Sequence, residues 1–239
     1  LSRKRLSRRR ERNIDMANYK RVISIGAHPL DAELMGGPMI MKYAACGAHC
    51  TFVHVTKGRL TDPAATDEDR RAYDESLAAE MDAAARGMGA DQLSLAYTSA
   101  TLPSAGSLAR EIEEYLEREG ADCVITHARG TLHPRHYSTY EAVLMAVRSM
   151  RRKGNNIQLY FGENCEDLAG FTPTLYLTQT QEEFDAWFEA LSNYKIFCGA
   201  VNDVPYQEYY RALALVRAME AEGPGLVKAY MHAPLIDNE

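Results

Sequence analysis

Continuous apolar runs alternate with helical periodicity through the first 150 residues. Residues 21–27 (RVISIGA) have the unbroken apolar character of a strand covered on both faces. Residues 31–46 follow at helical spacing, with Leu34, Ile40, Met41 and Ala44 available for one face. Residues 50–56 (CTFVHVT) predict a second strand, 67–88 a long helix that ends at Gly89, and 92–97 a short strand. A helix over 107–119 is stopped by Gly120. A buried strand over 121–127 (ADCVITH) leads into a helix over 136–151, stopped by Gly154. Strand-helix alternation of this kind predicts a parallel sheet covered on both faces.

After residue 150 the pattern loosens. Residues 157–161 and 174–178 read as strands, and 182–194 and 206–220 as helices. Phe184, Trp187, Phe188 and Leu191 form a core stripe at i, i+3, i+4, i+7 spacing. There is no Pro/Gly/Ser linker and no internal repeat. The expected fold is α/β: a Rossmann-like, mainly parallel sheet with helices on both faces, in a single domain over residues 16–239. Ligands in open α/β sheets bind beyond the carboxyl ends of the strands. Those ends carry His28, the Lys57-Gly58-Arg59 run, and the segment from His127 onward.

Charge changes the picture at one end. Residues 1–15 hold seven basic and two acidic residues, a local +5, so a net charge of −6 leaves −11 on the rest. An acidic body does not suit a nucleic-acid surface. The basic leader reads as a disordered or upstream extension before Met16, or as a tethering arm; it has no apolar core of a secretory signal. No run approaches the ~18 apolar residues of a membrane span. Five cysteines without a CxxC pair predict reduced thiols, a cytoplasmic location and no cysteine-based zinc site.

His28 directly follows a strand, and Asp31 stands at or beside the next helix start. A second cluster, His127, His133 and His136, follows the fourth predicted strand, with Pro134 suited to a first helical turn. Alone, Asp31 would read as a helix N-cap and each histidine as a loop residue. Together at neighbouring strand ends, two histidines and one aspartate make a three-ligand set with an open position, as catalytic zinc requires. The same set also suits iron, cobalt or nickel.

The run A-H-P-x-D-A-E after the first strand, with H-P-x-H after a later one, resembles the PIG-L or LmbE-like family of zinc-dependent de-N-acetylases acting on N-acetylglucosamine conjugates. The likeness runs from about residue 21 to 147, and more weakly through LYFGEN and 172–178. It implies His28, Asp31 and His136 as metal ligands, His133 as the group that steadies the oxyanion, and Glu33 as the acid that ends the motif. It also modestly raises Glu163 and Asn164 as pocket residues. Two positions depart from the family pattern: Leu30 stands where the family has its aspartate base, and Arg135 where it has the second motif's aspartate. The C-terminal histidine region has no match, since NYKIF (193–197) occupies its place.

A leucine accepts no proton, and general-base catalysis contributes about 10²–10⁴-fold. Zinc still lowers the pKa of bound water to about 7, so a hydrolase with an altered base is expected, with His133 or Glu33 as the substitute. Cleavage of an ester or a thiol-conjugate amide, which needs a weaker base, is a variant of this reading. The alternative is a non-catalytic, metal-bound protein that binds a sugar or an anion. Arg135, Arg59 and Arg129 near the site suggest a small, sugar-like substrate with an anionic group. The other reading of Arg135 is a pair with Glu33 or Glu141. Gly36-Gly37 serves either ligand approach or close packing. His49, His54 and His232 read as structural, and the cluster of Tyr206, Tyr209 and Tyr210 as packing or as a contact within a homo-oligomer.

Overall fold

A computed structural model describes residues 19–60 and 62–235. The basic leader at 1–15 lies outside the described residues. Strand β1 (Arg21–Gly26) is buried at every position. It pairs in parallel with β2 (His49–Thr56) on one side and β4 (Cys123–Thr126) on the other. Strand β3 (Asp91–Tyr97) continues the sheet beyond β2, and β5 (Gln158–Gly162) beyond β4, both in parallel. Strands β6 (Leu175–Gln179) and β7 (Leu226–His232) complete the order β3-β2-β1-β4-β5-β7-β6. Strand β7 runs antiparallel to both neighbours. It is the one strand that the sequence pattern did not predict.

Six helices cover the sheet among the described residues: α1 (Asp31–Ala45), α2 (Asp67–Gly87), α3 (Ala105–Glu119), α4 (Pro134–Arg152), α5 (Gln181–Leu191) and α6 (Tyr206–Glu220). Successive strand residues serve opposite layers, as the two-residue period of a strand requires. Val22, Phe52 and Ile125 join Met35, Leu77, Trp187 and Tyr210 on one face. Ile23, Val53 and Val124 join Leu108, Ile112, Val143 and Val147 on the other. The single α/β architecture expected from the sequence is the one observed.

Local chemistry sets the helix ends. Thr66 and Asp69 form a reciprocal capping box that starts α2. Gly120 closes α3 in the left-handed conformation, φ 64°. The Gly36-Gly37 pair serves packing: a Cβ on Gly36 would lie 2.4 Å from Ser24 Oγ of β1, and one on Gly37 2.4 Å from Trp187 Nε1 of α5. Helix α1 can therefore lie close against both. Strand order reverses between β1 and β4, so the crevice at their carboxyl ends is the topological switch point of the sheet.

Candidate metal centre

Three chain segments meet at that crevice. The first is the turn from β1 into α1. Leu30 takes φ 83°, a left-handed conformation that costs a non-glycine residue roughly 1–2 kcal/mol. Asp31 does not cap α1. Its Oδ2 instead accepts the His28 backbone N–H at 2.8 Å and lies 3.0 Å from His28 Nδ1. The second segment leaves β4 at His127 and enters α4 with Pro134 in its first turn and His133 as the flanking residue. The third follows β5 and carries Asn164, Glu166 and Asp167.

His136 Nε2 lies 3.3 Å from Asp31 Oδ2 and 3.3 Å from His28 Nδ1. Zn–N and Zn–O bonds of about 2.0–2.1 Å in a tetrahedron place ligand atoms about 3.3 Å apart. The three atoms therefore already stand at the separation that one shared cation needs. Their outer atoms are held as well. Asn164 Nδ2 donates to Asp31 Oδ1 at 2.9 Å. His136 Nδ1 lies 2.9 Å from Asp167 Oδ1, a carboxylate–histidine arrangement that fixes a metal-ligating tautomer.

His127 stacks on His136 with ring centroids 4.1 Å apart, and its Nε2 is 3.7 Å from Asp31 Oδ2. Yet the Ala27 N–H donates to that same Nε2 at 2.9 Å. An imidazole nitrogen has one lone pair, and here the backbone occupies it. The proton of His127 sits on Nδ1 and is donated to Asp167 Oδ2 at 2.6 Å. His127 is thus suited to support the cluster rather than to ligate.

The electrostatics are those of a cation site. Burial disfavours charge on Asp31, but the His136 charge and the hydrogen bonds to His136 and His28 outweigh it and hold the carboxyl well below the usual range. Burial likewise raises Asp167, and hydrogen bonds from His127 and His136 overcome it, leaving a value of about 2. Burial lowers His136, and the Asp31 charge with hydrogen bonds to Asp167 and Asp31 pushes it up to about 10. His133 packs edge-on against His28, centroids 4.8 Å apart, and 4.4 Å from His136. Burial first, then the charges of His136 and His28, lower it to about 4, so it is neutral near pH 7.

The other predicted residues divide. Arg59 and Arg135 line a cavity of about 480 Å³ together with His28. Arg135 Nη2 donates to the Ser99 hydroxyl, not to Glu33 or Glu141. Arg129 is exposed and does not line that cavity. Asn164 is buried and reaches the site through its hydrogen bond to Asp31.

Glu33 and Glu163 do not join the cluster. Glu33 is fully buried; its carboxylate takes His54 Nε2 at 2.9 Å and the Tyr194 hydroxyl at 2.8 Å. Two residues along a helix is a rotation of about 200°, so α1 aims Glu33 away from Asp31. Tyr194, in the NYKIF stretch, is one of the groups that hold it there. Glu163 is also fully buried, paired with Arg217 Nε at 2.6 Å and the Ala229 N–H at 3.2 Å. The adjoining space is only about 10 Å³, too small for a sugar. Asp167 and Glu166 were missed, although both lie within three residues of the LYFGEN stretch. Glu166 Oε2 is 3.6 Å from His136 Nε2, and its side chain is about half exposed.

The model of the GlcNAc-PI de-N-acetylase family, PIG-L, matches residues 23–147. Among solved structures, the chain is similar to an N,N'-diacetylchitobiose deacetylase from Pyrococcus horikoshii complexed with its inhibitor MPG. That match has a TM-score of 0.74 at 16% identity and covers 94% of this chain and 88% of that one. The zinc-inhibited form of teicoplanin deacetylase Orf2 gives a TM-score of 0.70 at 14% identity, covering 90% and 99%. GalB, the 4-carboxy-2-hydroxymuconate hydratase from Pseudomonas putida KT2440, gives 0.70 at 18%, covering 92% and 99%. No curated protein sequence matches. With the family model spanning both strand ends that build the cluster, the chain belongs to the PIG-L family of de-N-acetylases.

Proposed function

We propose that the protein is a zinc-dependent hydrolase of the de-N-acetylase type. It would cleave the N-acyl group of a small sugar-like substrate in the cytoplasm, with a proton acceptor other than the usual one. The observation that carries this reading is the convergence of His28 Nδ1, Asp31 Oδ2 and His136 Nε2 within 3.0–3.3 Å of one another. These three would hold the cation, with Asp167, Asn164 and the His28 N–H fixing their orientation. When bound, the cation would act as a Lewis acid on the acyl oxygen and bring the pKa of a coordinated water towards about 7. Family membership supports the reaction class, and the deacetylases among the similar structures agree with it.

The chain's own groups divide the proton work. Leu30 is buried at 3% exposure and has no acceptor atom. Glu33 is committed to His54 and Tyr194. Besides Asp31, which is assigned to the cation, Glu166 is the carboxylate next to the inward-facing nitrogen of His136, and no lysine or arginine among the described residues forms an ion pair with it. In this reading Glu166 takes the proton of the attacking water and returns it to the departing amine. His133, neutral and packed on His28, donates to the acyl oxygen as negative charge builds there. The products are a free amine and acetate.

The test is acetate release from a panel of N-acetyl sugars by zinc-loaded protein, run beside metal analysis of wild type and His136→Ala. Stoichiometric zinc in the wild type, its loss in the variant, and turnover of at least one substrate are expected. Fully loaded protein that releases no acetate from any of them would leave only a non-catalytic binding role.

A further inference from the structure

The cavity of about 480 Å³ beside His28 lies beyond the ends of β2 and β3 and before α4. Its wall carries Arg59 from the loop after β2 and Arg135 from the first turn of α4, with Tyr97, Thr98 and Ser99 completing the lining; the Tyr97 hydroxyl itself donates to Glu111 at 2.6 Å. No aspartate or glutamate lines it. Arg59 forms no hydrogen bond or ion pair among the described residues, and Arg135 donates only to the uncharged Ser99 hydroxyl. On a chain whose residues beyond 15 carry −11, carboxylate partners are plentiful. Arg59 is exposed and Arg135 half-buried, so water can solvate both, and two guanidinium groups without a carboxylate partner stay free to meet an anion beside the metal cluster.

We infer that this cavity is an anion subsite, and that the substrate carries a carboxylate or phosphate in addition to its acyl amide. The inference rests on the His28 cluster being the reaction centre, because His28 is shared by the cavity wall and the cluster. A guanidinium presents a planar fork of N–H donors that matches the paired oxygens of either anion, which a lysine does not. Arg59 and Arg135 arrive from different loops, so an anion held between them would anchor one end of the substrate. The acyl group would then face His28 and His136 at the other end. Positioning of this kind raises the effective concentration of the reacting bond without any part in the bond-breaking itself.

Calorimetric titration tests this with three probes that share the N-acetyl group: neutral N-acetylglucosamine, its 6-phosphate, and N-acetylmuramic acid as the carboxylate. Wild type, Arg59→Ala/Arg135→Ala and Arg135→Lys are each titrated, zinc-loaded and metal-free, at low and at physiological salt. At least one anionic probe is expected to bind tenfold or more tightly than the neutral sugar. That advantage should vanish in the double alanine variant, shrink in Arg135→Lys and weaken with salt, and the stronger arm identifies phosphate or carboxylate. Equal binding of neutral and anionic probes, no binding of either anion, or a preference that survives in the double variant overturns the inference. Binding is read without turnover, so an anion preference without acetate release overturns the hydrolase reading alone. Acetate release from the neutral sugar with no anion preference overturns the subsite alone.

Discussion

His136 Nδ1 lies 2.9 Å from Asp167 Oδ1, across 31 residues of chain. The same carboxylate takes His127 Nδ1 on its other oxygen at 2.6 Å. One buried acid thus orients two stacked imidazoles and leaves His136 Nε2 facing His28 and Asp31. Removing such an outer partner typically costs 10–100-fold in metal affinity. Asp167→Asn is expected to weaken zinc binding by about that factor, read by competition with a chromophoric chelator. Unchanged affinity in a folded variant would show that Asp167 does not orient a ligand.

Leu30 joins a left-handed backbone to a buried side chain, which makes two contributions separable. Its φ is 83° and its exposure 3%, within the same apolar cluster as Met35, Leu77 and Tyr194. Truncation to alanine removes the packing and keeps a Cβ in the strained conformation, at a cost of about 2–5 kcal/mol. Glycine removes the same packing but adopts this φ freely. Leu30→Gly should therefore be more stable than Leu30→Ala by about 1 kcal/mol in urea unfolding, against the usual order. An alanine variant as stable as the glycine variant, or more so, would mean that the turn carries no strain.

Glu166→Gln keeps the size of the side chain and removes its capacity to accept a proton. A fall in kcat of about 10²–10⁴-fold is expected, with zinc content unchanged. The fall should appear in kcat more than in KM, because the group acts on the water and not on the sugar. Wild-type kcat in this variant would return the proton transfer to His133.

Much of this arrangement was legible in the sequence, and the failures have physical causes. Strands β1, β2 and β4 are doubly buried and read as apolar runs, and α1 to α4 follow with helical periodicity. The sequence singled out His28, Asp31 and His136 because His28 and Asp31 flank the turn from β1 into α1 and His136 lies in the first turn of α4, and the fold brings the three together. Glu33 was misplaced for a reason that helical geometry contains, since i and i+2 lie on opposite faces. Glu163 and Asn164 are sequence neighbours with opposite fates: one is paired with Arg217 in the interior, the other bonded to Asp31. Asp167 and Glu166 sit in a loop with no period to mark them. Strand β7 was hidden by Lys228, a residue rarely buried in an interior strand. It is accommodated because its Nζ donates to the Glu163 carbonyl at 2.9 Å and lies 5.2 Å from the Tyr210 ring centre.

That lysine makes a pH prediction. Burial lowers Lys228 from 10.5 to about 8, against the opposing pull of Glu163. Between these values the unfolded chain binds the proton that the folded chain has released, so stability rises with pH across the window. The same contribution is lost as pH falls through about 8. The stability of wild type minus that of Lys228→Met, a difference that cancels groups common to both, should rise from pH 8 towards 10.5. Its slope is at most about 1.4 kcal/mol per pH unit. A flat difference over that range would place the Lys228 charge in a solvated setting.

Metal affinity should depend on pH through His136. Without a cation its value of about 10 means that Nε2 holds a proton at neutral pH, stabilised by Asp31 and by Asp167 through Nδ1. A cation can take the Nε2 lone pair only as that proton leaves, and ligand deprotonation of this kind couples binding to proton release. Zinc affinity is therefore expected to rise by about tenfold for each pH unit between 7 and 9. At pH 7 about one proton should appear in solution per ion bound by this histidine. Calorimetry in two buffers of different ionisation enthalpy counts that proton directly. Affinity that stays flat over this range, with no proton released, would mean that His136 Nε2 is not among the atoms that hold the ion, and the three-atom site would have to be redrawn.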